Sequence, residues 1–224
     1  MKLGLLFSGG KDSTYAAYLA KKKKHKISCL ISIHSENKDS YMFHTPSISQ
    51  TLKQSQAMDI PIIIQKTTGK KESELKDLEK AIKKAKQDYN IEGIVTGAVA
   101  SVYQATRIQK ICNSMKLECF NPLWQKNQFE LLEDLIKNKF QVVLTGVFAY
   151  PLNEKWMGRK IDNLFISDIK KLNEKYKINP AGEGGEFETL VINCPLFKKP
   201  LKIIGKKVWS DDNGKSWRME AILR

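Results

Sequence analysis

Close to the N-terminus stands Ser8-Gly9-Gly10-Lys11-Asp12-Ser13, a glycine pair flanked by hydroxyls, a cation and a carboxylate. Paired glycines let the backbone turn tightly and aim N–H groups at an anion, and a helix that follows adds its partial positive charge. An apolar run precedes the segment and a helical period follows it. It therefore falls in the first strand-to-helix turn, where open α/β sheets bind phosphate groups. It is not a Walker A loop, because Gly10 stands where G-x-x-x-x-G-K-[ST] requires lysine, and no G-x-G-x-x-G occurs. The Ser8 and Ser13 hydroxyls and the Gly9 and Gly10 N–H groups are candidate phosphate donors, with Lys11 as a point charge. The competing reading is a glycine-rich turn before a well-capped helix. A carboxylate repels phosphate unless a cation intervenes, so Asp12 either helps hold Mg²⁺ bridged to phosphate oxygens or only complements the charge of the helix start.

A second cluster is Gly182-Glu183-Gly184-Gly185-Glu186-Phe187-Glu188-Thr189. Every charged residue between Ile178 and Phe197 is acidic, in a chain whose formal charge is +14. The glycines allow close backbone approach, and alternation of Glu186 and Glu188 around Phe187 predicts both carboxylates on one face of an entering strand. Such a site calls for a cation. Its alternative is a glycine-rich loop carrying solvated acids.

The elements that position these residues follow from periodicity. Strands are predicted at 2–7, 27–33, 60–65 and 91–96. Between and after them come helices at 12–24, 46–58 (Thr45 as N-cap, Pro46 at the first position), 72 or 73 to 89, and 101–115. Strands alternating with helices predict a doubly wound, Rossmann-like α/β domain whose parallel sheet is covered on both faces. The rhythm changes after Pro122. A helix at 129–138, a strand at 141–146 and a helix at 161–177 lead to strands at 189–193, 201–209 and 216–223. The last two are joined by Asp211-Asp212-Asn213-Gly214, a hairpin signal. The expected division is residues 1–122 and a smaller α+β domain at 123–224.

Composition narrows the classes. With 224 residues, 42% hydrophobic and 28% charged, the chain can bury a sizeable core without metal or disulfide staples. Its 13 glycines and 7 prolines exclude collagen-like and linker-rich architectures. No apolar run reaches the length of a membrane span. The start resembles a signal peptide but stops at the glycine pair, so a cytoplasmic protein is expected. Cys29, Cys112, Cys119 and Cys194 have no zinc-ligand spacing and read as reduced thiols. The excess of 38 Lys and Arg over 24 Asp and Glu attracts polyanions, but it is mostly lysine spread over helix faces, which favours solvated surface over a nucleic-acid groove.

The sextet Ser8–Ser13 at the end of an N-terminal strand is similar to the PP-loop of the ATP pyrophosphatases. Further stretches resemble the diphthine-ammonia ligase family within that superfamily. They are Tyr41-Met42-Phe43-His44-Thr45-Pro46, Gly97-Ala98-Val99-Ala100-Ser101-Val102-Tyr103-Gln104 with Arg107, Pro122-Leu123-Trp124, Trp156-Met157-Gly158-Arg159 and Pro180 through Thr189. The chain departs from the family pattern at Ser47, where Asn is common, and at Ala100, where a polar residue is usual.

The resemblance implies a PP-loop ATPase fold and cleavage of ATP between its α- and β-phosphates with Mg²⁺. A carboxylate is adenylated, pyrophosphate leaves, and ammonium supplies the nitrogen. The implied substrate is diphthine, the modified histidine of translation elongation factor 2. ATP would contact Ser8 to Ser13 through its phosphates, Ile33 and His34 through the adenine edge, and Gly97 through ribose or α-phosphate. For His34 an exposed loop histidine is the alternative. Lys11, Asp12 and Arg107 would be catalytic, Arg107 at the α-phosphate or else in an ordinary surface ion pair. His44, Ser101, Tyr103, Gln104, Glu183, Gly184, Gly185, Glu186 and Glu188 would contact substrate. Phe187 or a tryptophan would face its trimethylammonium group. A transfer-RNA-modifying PP-loop enzyme, a ligase for a small carboxylate and a non-catalytic nucleotide sensor remain as alternatives. The sequence leaves monomer and homodimer open.

Overall fold

The computed structural model describes residues 1–35, 48–69, 71–211 and 214–224. These fall into two compact units, Met1–Trp124 and Gln125–Arg224. In the first, β1 (Lys2–Leu6), α1 (Lys11–Lys22), β2 (Lys26–Ser35), α2 (Ile48–Met58), β3 (Ile62–Thr67), α3 (Lys71–Tyr89), β4 (Gly93–Val95), α4 (Val102–Ser114) and β5 (Glu118–Phe120) alternate as a doubly wound fold does. The strands form one parallel sheet in the order β3-β2-β1-β4-β5.

Side-chain alternation assigns the two faces. Cys29, Ile31 and Ile33 of β2 pack with Leu78, Ala81, Ile82 and Ala85 of α3 and with Ile108 and Cys112 of α4. Leu30, Ser32 and His34 point to the opposite face by the strand period. Helix α1 lies along β1, β2 and β4, and buries Tyr15, Ala16, Ala17 and Ala20. Burial on both faces is why these strands read as near-continuous apolar runs.

Three details depart from periodicity. The strand expected at 60–65 begins at Ile62, because Pro61 has no N–H and contributes only its carbonyl, which accepts from Leu30 N at 2.8 Å. The expected strand 91–96 contracts to Gly93–Val95. A fifth strand, β5, was not legible, since three residues carry no period. The start of the helix expected at 46 lies outside the described residues.

The second unit contains α5 (Gln128–Lys137), β6 (Gln141–Val147), a 3-10 turn at Glu154–Trp156, α6 (Asn163–Tyr176), β7 (Phe187–Asn193), β8 (Ile203–Asp211) and β9 (Ser216–Leu223). Its sheet is antiparallel, ordered β7-β6-β9-β8. Asn127 caps α5 by accepting from Phe129 N and Glu130 N, and Asp162 caps α6 by accepting from Phe165 N. Leu131, Leu132 and Leu135 of α5 and Phe165 and Ile169 of α6 are buried. The hairpin joins Asp211 to Ser216, with Asp212 and Asn213 outside the described residues. All four cysteines are free, and among the described residues no helix is long and apolar enough to cross a membrane.

Candidate active site

The strand order reverses direction between β1 and β4, and ligands of open α/β sheets bind at the carboxyl ends of strands at such a switch point. The loop 7–10 leaves β1 there. Phe7 N still bonds Ile31 O at 2.8 Å, after which the chain turns through Gly9 at φ +80, a left-handed conformation that glycine adopts without steric cost. Gly10 is the N-cap of α1 and offers no side-chain oxygen to the first helical turn. N–H groups at such a terminus point outward at an anion rather than into a cap. This excludes the expectation of a well-capped helix.

Around the turn, Ser13 Oγ lies 3.2 Å from Ser8 Oγ and 3.3 Å from Ser8 N, and donates to Gly10 O at 3.3 Å. Gly10 N reaches Ser8 Oγ at 3.4 Å. Lys11 is only 4% exposed, its ammonium 2.9 Å from Asp12 Oδ2, as a buried cation requires. Asp12 stands in the first turn of α1, where its charge complements the helix start, and it makes no side-chain cap hydrogen bond. Its other oxygen, Oδ1, is buried and has no hydrogen-bond partner among the described residues.

Gly97 follows β4, and its role is visible in packing. A Cβ there would lie 2.6 Å from Ser13 N and 2.7 Å from the Asp12 carbonyl carbon. The residue is glycine so that the first turn of α1 can seat on the end of β4. Next to it Thr96 Oγ1 donates to Asn121 Oδ1 at 2.6 Å and accepts from Ala98 N at 3.1 Å, tying the ends of β4 and β5 together.

His34 is not an exposed loop residue. It lies in β2, buried beside Ser32 Oγ at 3.1 Å, with Ile33 buried as well. Ser101 caps α4, accepting from Gln104 N at 3.3 Å. Arg107 stands one helical turn after Tyr103, with its guanidinium carbon 3.4 Å from the centre of the Tyr103 ring and Nη1 3.4 Å from Tyr103 O. Among the described residues no ion pair involves it, so the surface-pair reading gives way to an aromatic stack that orients the planar cation. His44 lies outside the described residues.

Sequence reasoning missed Gln54, on α2, whose Nε2 donates to Gly9 O at 2.8 Å beneath the loop. The available signal was a helix carrying Gln50, Thr51, Gln54 and Ser55 at one-face spacing, all of them buried.

In the second unit, the acidic segment folds on itself. Glu186 Oε1 accepts from Asn179 N at 3.0 Å and Asn179 Nδ2 at 2.7 Å, while Oε2 accepts from Gly184 N at 2.8 Å. Gln128 holds the same loop by donating to Asn179 Oδ1 at 3.2 Å and accepting from Ala181 N at 2.9 Å. Gly184 is small because a Cβ would lie 2.7 Å from Glu186 Oε1, and Gly182 and Gly185 take positive φ. Close approach is thus to the chain's own carboxylate. Glu188, within β7, pairs instead with Arg218 at 3.5 Å, so the two carboxylates have separate protein partners. Phe187 is buried against Phe165, ring centres 5.9 Å apart, and is not available to a quaternary ammonium. Glu183 is half-buried in the same loop.

A glycine turn leading to a helix start without a side-chain cap, at the switch point of a doubly wound parallel sheet, has the geometry that α/β proteins use to bind anions. The profile described as "Diphthamide synthase N-terminal domain" matches residues 1–119, and that described as "Diphthamide synthase C-terminal domain" matches 127–221. The chain belongs to the diphthamide synthase family. It is 31% identical over 230 residues to a protein of Schizosaccharomyces pombe named diphthine–ammonia ligase, spanning 96% of this chain and 38% of that one. A protein of the same name from Bos taurus is 31% identical over 227 residues, 93% of this chain and 85% of that one. The solved structure of a predicted subunit of a tRNA methyltransferase from Methanocaldococcus jannaschii superposes with a TM-score of 0.43 at 16% identity, covering 89% of this chain and 99% of that chain.

Proposed function

We propose that this protein catalyses the ATP-dependent amidation of diphthine on translation elongation factor 2, with ammonium as nitrogen donor. The observation that supports it most is the Ser8–Ser13 loop, uncapped and buttressed by Gly97, in a chain whose two halves both match diphthamide synthase profiles. A diphthine carboxylate oxygen attacks the α-phosphorus of ATP, the bond to the bridging oxygen breaks, and pyrophosphate leaves with the electron pair. Ammonia, formed by loss of a proton from ammonium, attacks the acyl carbon; the added nitrogen loses a second proton to solvent and AMP departs with the bonding electron pair, leaving the amide.

The chain's residues bind and neutralise charge, and no protein nucleophile is required. Loop N–H groups and the Ser8 and Ser13 hydroxyls hold the departing β- and γ-phosphates, and Lys11 adds a point charge beside them. The backbone at Ile33 and His34, at the end of β2, borders the adenine edge. Arg107, its planar guanidinium oriented by the Tyr103 ring, faces the α-phosphate as charge develops. In the first unit, Ser101, Gln104 and His44 are assigned to substrate contacts; in the second, Glu183, Gly184, Gly185 and Glu188 are assigned to the elongation factor.

Among the described residues no group of three His, Cys, Asp or Glu gathers to hold a metal. A magnesium ion that takes most of its oxygens from phosphates and water needs few protein ligands, and the buried, unpartnered Asp12 Oδ1 fits one such contact. When bound, Mg²⁺ supplies charge neutralisation to the leaving pyrophosphate.

The deciding experiment is nucleotide product analysis with ATP, Mg²⁺ and ammonium, with and without elongation factor 2 carrying diphthine. AMP and pyrophosphate formed only with the factor, together with the acid-to-amide mass change on it, are the expected result. AMP formed only with transfer RNA or a small acid would transfer the chemistry to another substrate. ADP, or no turnover, would remove the loop chemistry itself.

A further inference from the structure

We infer that Gln54 is a positioning residue that sets the direction of the phosphate loop's N–H groups; the inference rests on the loop binding the phosphates of ATP, as proposed above. Helix α2 turns a polar face inward. Gln50, Thr51, Gln54 and Ser55, at the i, i+1, i+4, i+5 spacing of one helical face, are buried, whereas Leu52 and Lys53 are exposed. A helix against a core ordinarily buries its apolar side. Gln54 is 0% exposed, and an amide in that position is costly unless hydrogen-bonded. One such bond runs to the loop, Nε2 to Gly9 O at 2.8 Å.

That bond has a geometric consequence. The peptide joining Gly9 to Gly10 is planar, with its C=O and N–H pointing in opposite directions. With the oxygen held on Gln54, the Gly10 N–H is turned to the other side, where it reaches Ser8 Oγ at 3.4 Å and where the Ser8 and Ser13 hydroxyls meet. A glycine pair has little intrinsic preference for one orientation of this unit, since glycine accepts either sign of φ. Rotation of the peptide would present a carbonyl oxygen to the anion in place of a donor. Gln54 opposes that rotation, and a Cβ at Gly9 would overlap its amide, so loop and helix are fitted to each other.

The test is equilibrium binding of inorganic pyrophosphate, ATP and AMP to the full chain and to Gln54→Leu, which keeps the bulk and removes the donor. The expected result is a loss of about tenfold for pyrophosphate and ATP, the upper end for one buried hydrogen bond, with AMP affinity unchanged. Gln54→Glu provides an independent readout. Its ionised carboxylate opposes Gly9 O and its protonated form donates to it, so pyrophosphate affinity relative to wild type recovers as the pH falls. Unchanged pyrophosphate affinity in a folded Gln54→Leu protein, equal losses for AMP and pyrophosphate, or a Gln54→Glu protein whose relative affinity is flat with pH would overturn the inference. Failure of the wild type to bind either ATP or pyrophosphate would overturn the loop reading beneath it, and is read before any variant is made.

Discussion

Replacing Glu186 by alanine separates a loop-organising carboxylate from a substrate-binding one. The side chain is 9% exposed and accepts from Asn179 N, Asn179 Nδ2 and Gly184 N at 3.0, 2.7 and 2.8 Å. Hydrogen bonds to a charged group contribute about 1.5 to 3 kcal/mol each, and bonds sharing one carboxylate are not additive. Glu186→Ala also leaves two backbone N–H groups in search of water. A loss of about 3 to 5 kcal/mol is therefore expected. For a chain of 224 residues this lowers Tm by roughly 6 to 20 °C, at about 2 to 4 °C per kcal/mol. Glu188→Gln is the control. Its pair with Arg218 spans 3.5 Å with both side chains 21% exposed, a geometry worth about 1 kcal/mol or less. Circular dichroism melts of both proteins, with amide exchange at Gly184 and Asn179, give the comparison. A Glu186→Ala protein melting with the wild type, yet unable to amidate its substrate, would refute the structural assignment and return Glu186 to the substrate.

Arg107→Ala is expected to slow AMP formation by roughly 100-fold with little change in Tm, and Arg107→Lys to restore only part, because an ammonium does not stack on Tyr103 as a guanidinium does; full rescue by lysine would show that only charge matters. Iodoacetamide at neutral pH should modify Cys119 first. A hydrogen bond from Cys112 holds the Cys119 thiol below its ordinary value and lifts Cys112 well above it, and burial pushes Cys29 up to about 12. Peptide mapping that finds Cys29 labelled ahead of Cys119 would contradict this. The Arg159 hydrogen bond, 2.6 Å long, lowers the Asp168 carboxyl from its ordinary 3.8. Its stabilisation is present above that pH and is lost as pH falls through the lowered value. The urea midpoints of wild type and Asp168→Asn should therefore differ modestly at neutral pH, the pair being partly exposed, and should converge in acid. A gap constant with pH would count against the pairing.

Much of the first unit was legible because its signals are local. Leu78, Ile82 and Ala85 repeat at helical spacing and are buried on α3, and the glycine pair sits between an apolar run and a helix start, as a phosphate loop requires. Strand β5 escaped because its pairing partner, β4, supplies the order that its own three residues cannot. Gly97 was legible as a glycine at a strand end, but not as the seat of the Asp12–Ser13 backbone. Arg107 was legible as a cation on a helix that starts after β4, and its stack needed only the four-residue spacing to Tyr103.

The sequence by itself determined the class of fold and the place of the glycine turn between β1 and α1, because hydrophobic period and backbone permissiveness act over a few neighbouring residues. It also carried the family, through motifs spread from Ser8 to Thr189. Tertiary structure alone decided what each polar side chain is for. Glu186 closes a loop on Asn179 and Gly184, Glu188 pairs with Arg218, Phe187 packs on Phe165, and Gln54 reaches Gly9 from 45 residues away in sequence. A carboxylate or amide has the same composition whether it binds a ligand or its own backbone. Which one it does is set by the groups that long-range folding brings within hydrogen-bonding distance, because a buried polar group is stable only where it finds them.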